Sequence, residues 1–249
     1  MTKGTRVEAR GYDHATASRG PGRGRGEGAR EALRARLGGA ALVAAGMLFF
    51  LYPAFRPWHD ETTLTGAMAS MTSFAWVVSH SFAMLGFILV PFGLLALRVV
   101  VRDTRGEGAA FAAVVVFWIG AGLTLPYYGA ETYRLHAIAV QAARGVALDP
   151  VALAAAVRFT PVAAVTFVLG LALLGAGAVL AAVAVARSAI LPRLGAILMA
   201  VGFCLFIPQF FLPAVLRIAH GALVAAGAAG LGVAILRHAT RGDGPCSTS

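Results

Sequence analysis

Apolar residues run along this chain in long unbroken blocks, without the alternation of a half-buried strand or the narrow stripe of a water-facing helix. Six blocks stand out, roughly 37–55, 70–97, 109–126, 161–186, 194–213 and 214–236. A membrane-spanning helix needs about 20 apolar residues to cross about 30 Å of hydrocarbon, so each block predicts one span. Only Pro213 separates the last two. Proline removes a backbone donor and disfavours helix in the residue before it, which predicts a tight hairpin turn; 194–236 is too long for a single crossing. The expected fold is an all-α, six-span transmembrane bundle.

The intervening segments are uneven. Between 127 and 160 lies an extracytoplasmic piece whose first part, Tyr127 to Ile138, carries apolar and aromatic residues at helical spacing. It predicts a helix that either prolongs the third span past a kink at Pro126 or lies along the interface with its tyrosines at headgroup level. Asp149-Pro150 reads as an N-cap and first-turn proline of a short helix. The stretch 56–69 reads as a loop, and Trp58 and Trp76 as parts of an outer aromatic belt.

A weak repeat runs through the blocks. Leu37-Gly38 … Gly46 … Pro53 resembles Leu194-Gly195 … Gly202 … Pro208, and the third block offers Gly120 … Pro126. The returning blocks stop at Arg98, Arg187 and Arg237. Repeated helical hairpins are one reading; the common use of Gly and Pro in membrane helices is the other. Small residues four apart, Ala178, Ala182 and Ala186 in one helix and Ala222, Ala226 and Gly230 in another, predict faces for close helix packing.

Composition strengthens the membrane reading. The chain has 249 residues, 59% hydrophobic and 13% charged, with mean hydropathy +0.78. A soluble domain carries about twice that charge, so an ordinary soluble globule, a disordered chain and a disulfide-stapled secreted domain are excluded. Net charge is +10, from 21 basic and 11 acidic residues. Lys3 is the only lysine, which fits the codon bias of a GC-rich bacterium. Residues 1–36, rich in Gly and Arg, read as a disordered basic cytoplasmic arm resting on anionic lipid headgroups. No aromatics interleave its Gly-Arg stretch, so nucleic acid is not an expected partner. Ala67-Met68-Ala69 lies well beyond the first apolar block, so that block is expected to stay as an anchor, not to be cleaved as a signal peptide.

Orientation follows from arginine. With the N-terminus inside, 16 bases fall in cytoplasmic segments and five outside. Both termini are expected in the cytoplasm, with a transmembrane domain over 37–238 and a tail over 239–249. Cys204 lies inside an apolar block and Cys246 in the tail; no disulfide is expected, and Cys204 reads as a small core filler.

Candidate chemistry gathers near the outer face. No Asp or Glu lies inside the six blocks, which disfavours an ion pump with a midplane acid. His80 lies 18 residues above Arg98 and His220 lies 17 above Arg237. At 1.5 Å per residue both sit about 25–27 Å from the inner boundary, at nearly equal depth. His136, Glu131, His59, Asp60, Glu61 and Asp149 fall in outer segments. Three readings follow. His80 and His220 could hold zinc or a haem, although no His-x-x-x-His or Glu-x-x-His spacing supports them. A pocket for a small or lipidic ligand would use His80, Ser79, Ser81, Glu131, Tyr127, His136, Gln209 and His220, with Arg217 or Arg158 meeting an anionic group. The leading reading is structural: His80 bonds Ser79 or a carbonyl, Arg217 snorkels to the surface, and Glu131 pairs with Arg134 or Arg217. No catalytic motif appears, and no extramembrane piece is large enough to house an active site, so an enzyme is not expected.

The stretches Leu125-Pro126-Tyr127-Tyr128-Gly129-Ala130-Glu131-Thr132-Tyr133 and Ser79-His80-Ser81-Phe82-Ala83-Met84-Leu85-Gly86-Phe87 resemble multi-pass membrane proteins of Gram-positive, actinobacterial-type bacteria for which no activity is established. The resemblance covers the six blocks and not the arm. It implies a bacterial cytoplasmic (plasma) membrane protein, with the bilayer and a homo-oligomer or membrane partner as its company, and adds no mechanism. Structure or assembly is thus the expected role, with ligand binding or transport the alternative.

Overall fold

A computed structural model of the chain describes residues 21–241, all helices and connecting turns with no strand among them. Helix α1 spans Pro21–Phe55. Residues 1–20 of the expected arm lie outside the described residues, but 21–36 are helical and not disordered. Pro21 suits a first helical position, and Ala29 to Leu37 are strong helix formers that carry the turn pattern into the apolar block.

The other long helices are α3 (Phe74–Val100), α4 (Glu107–Gly129), α7 (Pro161–Ser188) and α9 (Ala214–Arg241). Helix α2 (Leu64–Met71), capped by Thr63, occupies part of the stretch read as a loop. Helix α4 continues through a π-helical turn at Ala130–Arg134 into α5 (Leu135–Ala143), so the extension past Pro126 is one axial run and not an interfacial helix. Gly145, at φ +88°, turns the chain toward α6 (Pro150–Phe159). Asp149 caps α6 through bonds from the amides of Val151 and Ala152, as its sequence indicates.

Five helical runs are long and apolar enough to cross a bilayer: Glu27–Phe55, Phe74–Val100, Glu107–Ala143, Pro161–Ser188 and Ala214–Arg241. These are the features of an integral membrane protein. The block at 194–213 departs from expectation. It forms α8, the 12-residue Arg193–Cys204, then a turn and a 3₁₀ segment at Pro208–Phe211. Twelve residues rise about 18 Å, well short of the about 30 Å of hydrocarbon. Pro208 has no N–H to give the Cys204 carbonyl, so the helix stops there.

The helices close into a ring in the order α1, α3, α4, α7, α8, α9, with α9 returning onto α1. Neighbours run antiparallel. Along α1 and α9, Gly39 meets Leu236 and Pro53 meets Gly221, so the two ends of the described chain share one end of the bundle. The seam is tight: a Cβ at Gly232 would fall 2.6 Å from the Gly39 carbonyl oxygen. Phe49, Phe87, Phe117, Phe203 and Phe206 fill the ring's interior, with edge-on contacts such as Phe49–Phe87 and Phe117–Phe203, both 5.0 Å between centroids.

The small-residue faces differ from expectation. Ala222 and Ala226 are exposed and Gly230 abuts Gly195 of α8, whereas Gly221, Val224, Ala228, Leu231 and Ile235 are buried. Alanine and glycine are so frequent in α9 that four-residue spacing does not choose a face. Ala178 is buried but Ala186 is exposed. Cys204, read as a core filler, is exposed on the outside of the ring.

At the end of the ring opposite the described termini, α2, α5 and α6 form a small cap. Its own apolar cluster joins Ala67, Met71, Leu135, Ala139 and Ala154 around Trp76. Trp76 is fully buried and therefore belongs to this cluster, not to an aromatic belt.

Candidate functional site

The cap holds four charged side chains in series. Arg56, one residue past α1, bonds Glu61 at 2.6 Å. The other oxygen of Glu61 accepts from Arg158 Nη2, also at 2.6 Å. Arg158, at the end of α6, grips both oxygens of Glu131 at 2.5–3.1 Å. Glu131 thus pairs with Arg158, and not with Arg134 or Arg217 as its sequence neighbourhood suggests. Burial alone would lower the Arg158 pKa, but the two carboxylates outweigh it and push it up.

The π-turn places Glu131. Leu135 N–H donates to the Ala130 carbonyl, one residue further back than in an α-helix, which deprives the Glu131 carbonyl of its usual donor. Trp76 Nε1–H supplies one instead at 3.0 Å, across 55 residues of sequence. Two long helices are thereby pinned at the point where the carboxylate turns toward Arg158.

Beside this series lies a partly open cavity of about 720 Å³. Its polar lining is Tyr52, His80, Tyr127, Tyr128, Arg56, Glu61, Glu131, Arg158 and Arg217. Phe159, Phe167, Val168, Leu171 and Phe211 also line it, with Phe167 stacked on Tyr127 at 3.9 Å. Arg217 donates to Gln209 Oε1 at 3.1 Å and lies 4.6 Å from the centre of the Trp58 ring. Arg56 faces the same ring at 4.5 Å. Both are within cation–π range. Arg217 has no carboxylate partner among the described residues, and it folds back over aromatic rings and does not snorkel outward. Two buried polar atoms at the cavity wall, Arg56 Nε and Tyr128 Oη, make no hydrogen bond.

The six residues singled out from sequence go to different places. His80, Glu131 and Arg217 line the cavity. Gln209 is buried behind it and holds Arg217. His136 ties α5 to the end of α2 through the Met71 carbonyl, 2.7 Å away, and does not line the cavity. His220 bonds the Gly202 carbonyl at 2.8 Å and meets Phe206 edge-on at 5.0 Å. Tyr52 borders both histidines, but only His80 opens on the cavity. Ser79 and Ser81 spend their hydroxyls on carbonyls of their own helix.

His80 is 1% exposed. Its Nδ1 lies 2.7 Å from the Trp76 carbonyl, which makes that nitrogen the N–H donor and leaves Nε2 as an acceptor. A carbonyl-bonded imidazole of this kind suits a pocket wall. Among the described residues, no three His, Cys, Asp or Glu side chains are grouped as a metal would require. His80 and His220 each use one ring nitrogen on a backbone carbonyl, of Trp76 and of Gly202.

Sequence reading placed Glu61 in the outer group without a role and missed Arg56, Trp58 and Tyr52 as site residues. The one signal was the pair of opposite charges, Arg56 and Glu61, enclosing a tryptophan just after the first span. Together these features define a protein, helical over its described residues, with five helical runs long and apolar enough to cross a membrane and a charged, aromatic cavity at one end. No protein-family model, no curated protein and no solved structure matches the chain.

Proposed function

We propose that the chain is a bacterial cytoplasmic-membrane protein, with both termini inside, that binds a small or lipidic ligand in an outward-facing cavity. Segment 193–213 makes the sixth passage in this reading, because Gly195 packs at Leu231, toward the middle of α9, and Gln209 meets Arg217 near its start. The excess of arginine on the cytoplasmic side then puts the cap outside.

The observation that carries the proposal is the cavity of about 720 Å³, within the usual range of small-ligand pockets. It places a cation without a carboxylate partner among the described residues beside apolar side chains. A purely structural role favours buried groups that satisfy each other. The Glu61–Arg158–Glu131 pairing fits that role, but the cavity and Arg217 beside it do not.

Thermal-shift screening of the full chain in lipid nanodiscs against soluble and lipidic compounds tests the proposal. A ligand at 100 times its Kd stabilises by about 2.7 kcal/mol. At least one compound is expected to raise the Tm of the protein and to lose that effect in Arg217→Ala. A screen in which nothing does so overturns the proposal.

A further inference from the structure

The cavity's position in the ring points to what it binds. Helix α8 is the one member of the ring that ends early, at Cys204. Beyond it, the wall between α7 and α9 is a turn, a 3₁₀ segment and the Leu212–Pro213 junction. Ile207, Phe210, Phe211 and Leu212 from this stretch line the cavity, and so do Ala164 and Val168 of α7. Phe211, Val168 and Leu212 are also exposed on the outside of the bundle, at 86%, 49% and 41%. The apolar lining of the cavity is therefore continuous with the surface that faces acyl chains, through the gap that the short α8 leaves.

The polar lining is biased toward an acid. Arg56, Arg158 and Arg217 face two buried carboxylates, Glu61 and Glu131. Asp60 lines the rim, but it commits its carboxylate to the Thr62 amide and hydroxyl. Arg217 is thus the cation left over. The Arg56 guanidinium is already committed to Glu61 and packed on Trp58 and Trp76. Trp58 packs against both guanidinium groups.

We infer that the ligand is a single-chain amphiphile with an acidic head, a carboxylate or a phosphate monoester. It enters sideways from the outer leaflet between α7 and the 207–214 stretch. Its head meets Arg217 beside Trp58, and its chain lies along Phe159, Phe167, Val168 and Leu171. This inference rests on the ligand-binding reading above and narrows it.

The test is equilibrium binding of radiolabelled palmitate to the full chain in nanodiscs of neutral lipid, with competition by hexadecyl phosphate, hexadecanol, acetate and inorganic phosphate. Palmitate, hexadecyl phosphate or both should bind. Hexadecanol should compete at least about tenfold more weakly, the effect of losing one charge-assisted hydrogen bond, and the two soluble anions should not compete. Arg217→Gln should weaken binding about tenfold or more, with Arg217→Lys recovering part of it. Ala164→Phe, which fills the mouth and leaves every charge in place, should abolish binding with Tm retained.

Equal competition by hexadecanol overturns the acidic head. Equal competition by acetate or phosphate overturns the amphiphile and sideways access but leaves a ligand cavity. Unchanged palmitate binding in Ala164→Phe places the lipid elsewhere and overturns the inference. If neither long-chain acid binds while the thermal-shift screen finds another ligand, the inference alone fails; if the screen also finds nothing, both readings fail.

Discussion

Both ends of the helical ring carry arginine–carboxylate pairs, yet the pairs differ in kind. At the end where the described chain begins and finishes, Arg102 meets Glu31 and Arg98 lies 3.9 Å from Glu107. These side chains are 36–46% exposed. At the opposite end, Arg158, Glu61 and Glu131 are only 11–19% exposed and bond at 2.5–2.6 Å. An exposed pair in water contributes about 0–1 kcal/mol. A buried charge stripped of its partner costs about 3–5 kcal/mol. The same residue types thus decorate one end and organise the other, and burial decides which.

The comparison is broken most directly at Glu131. Glu131→Ala leaves Arg158 with Glu61 as its remaining partner and three of its hydrogen bonds lost, and a loss of about 3 kcal/mol in stability is expected, read as a large drop in Tm. Replacing Glu61, Glu131 and Arg158 together by apolar residues of similar size should instead be close to neutral. If the single and triple variants fall equally, the cap is not held by its ion pairs. The raised pKa of Arg158 has a definite consequence for pH. Its contribution is complete below the unfolded value and is lost only as pH climbs through the folded one. The difference between wild type and Glu131→Ala should therefore not shrink between neutral and mildly alkaline pH.

Next in size is Trp76→Phe. It keeps most of the buried ring but removes the donor to the Glu131 carbonyl, leaving that oxygen unsatisfied at a cost of about 1–3 kcal/mol. Chemical denaturation measures it, and a loss below a few tenths would mean that the π-turn satisfies the carbonyl by other means. Arg102→Ala, at the exposed end, should change stability by about 1 kcal/mol or less. A larger loss would erase the contrast between the two ends.

The smallest effect expected is at Asp60. Hydrogen bonds from the Thr62 side chain and amide lower its carboxyl pKa. A depressed folded-state pKa contributes above the unfolded value and fades as pH falls through the folded one. Asp60→Ala should therefore be slightly less stable than wild type at neutral pH and equal to it in acid, as read by paired melts.

Much of the architecture was readable before any coordinate. The apolar blocks mark all five long helices because hydrocarbon tolerates little else over that length. Asp149-Pro150 marks the start of α6 because a cap and a first-turn proline are local chemistry. The block at 194–213 does not form one span-length helix, because hydropathy counts apolar residues without asking whether one helix contains them, and Pro208 divides this one. In α9, small residues crowd every face, so no spacing rule finds the one that packs against α1.

The site was legible only in part. His80, Glu131 and Arg217 stood out as costly polar groups near a membrane boundary, and that cost is a property of the residue and its depth. Their partners were not visible. Arg158 reaches Glu131 across 27 residues and Glu61 across 97, and Trp76 reaches the Glu131 carbonyl across 55.

Local composition and period by themselves determined where the chain is oily, where it turns and which polar groups must answer for their burial. Tertiary packing alone decided which charge meets which, which histidine opens on a cavity, and that a ring with one short member leaves a gap beside an arginine lacking a carboxylate. Helix formation and partitioning into hydrocarbon are settled within a few turns of chain. Pairing and cavities depend on elements far apart in sequence coming to rest side by side.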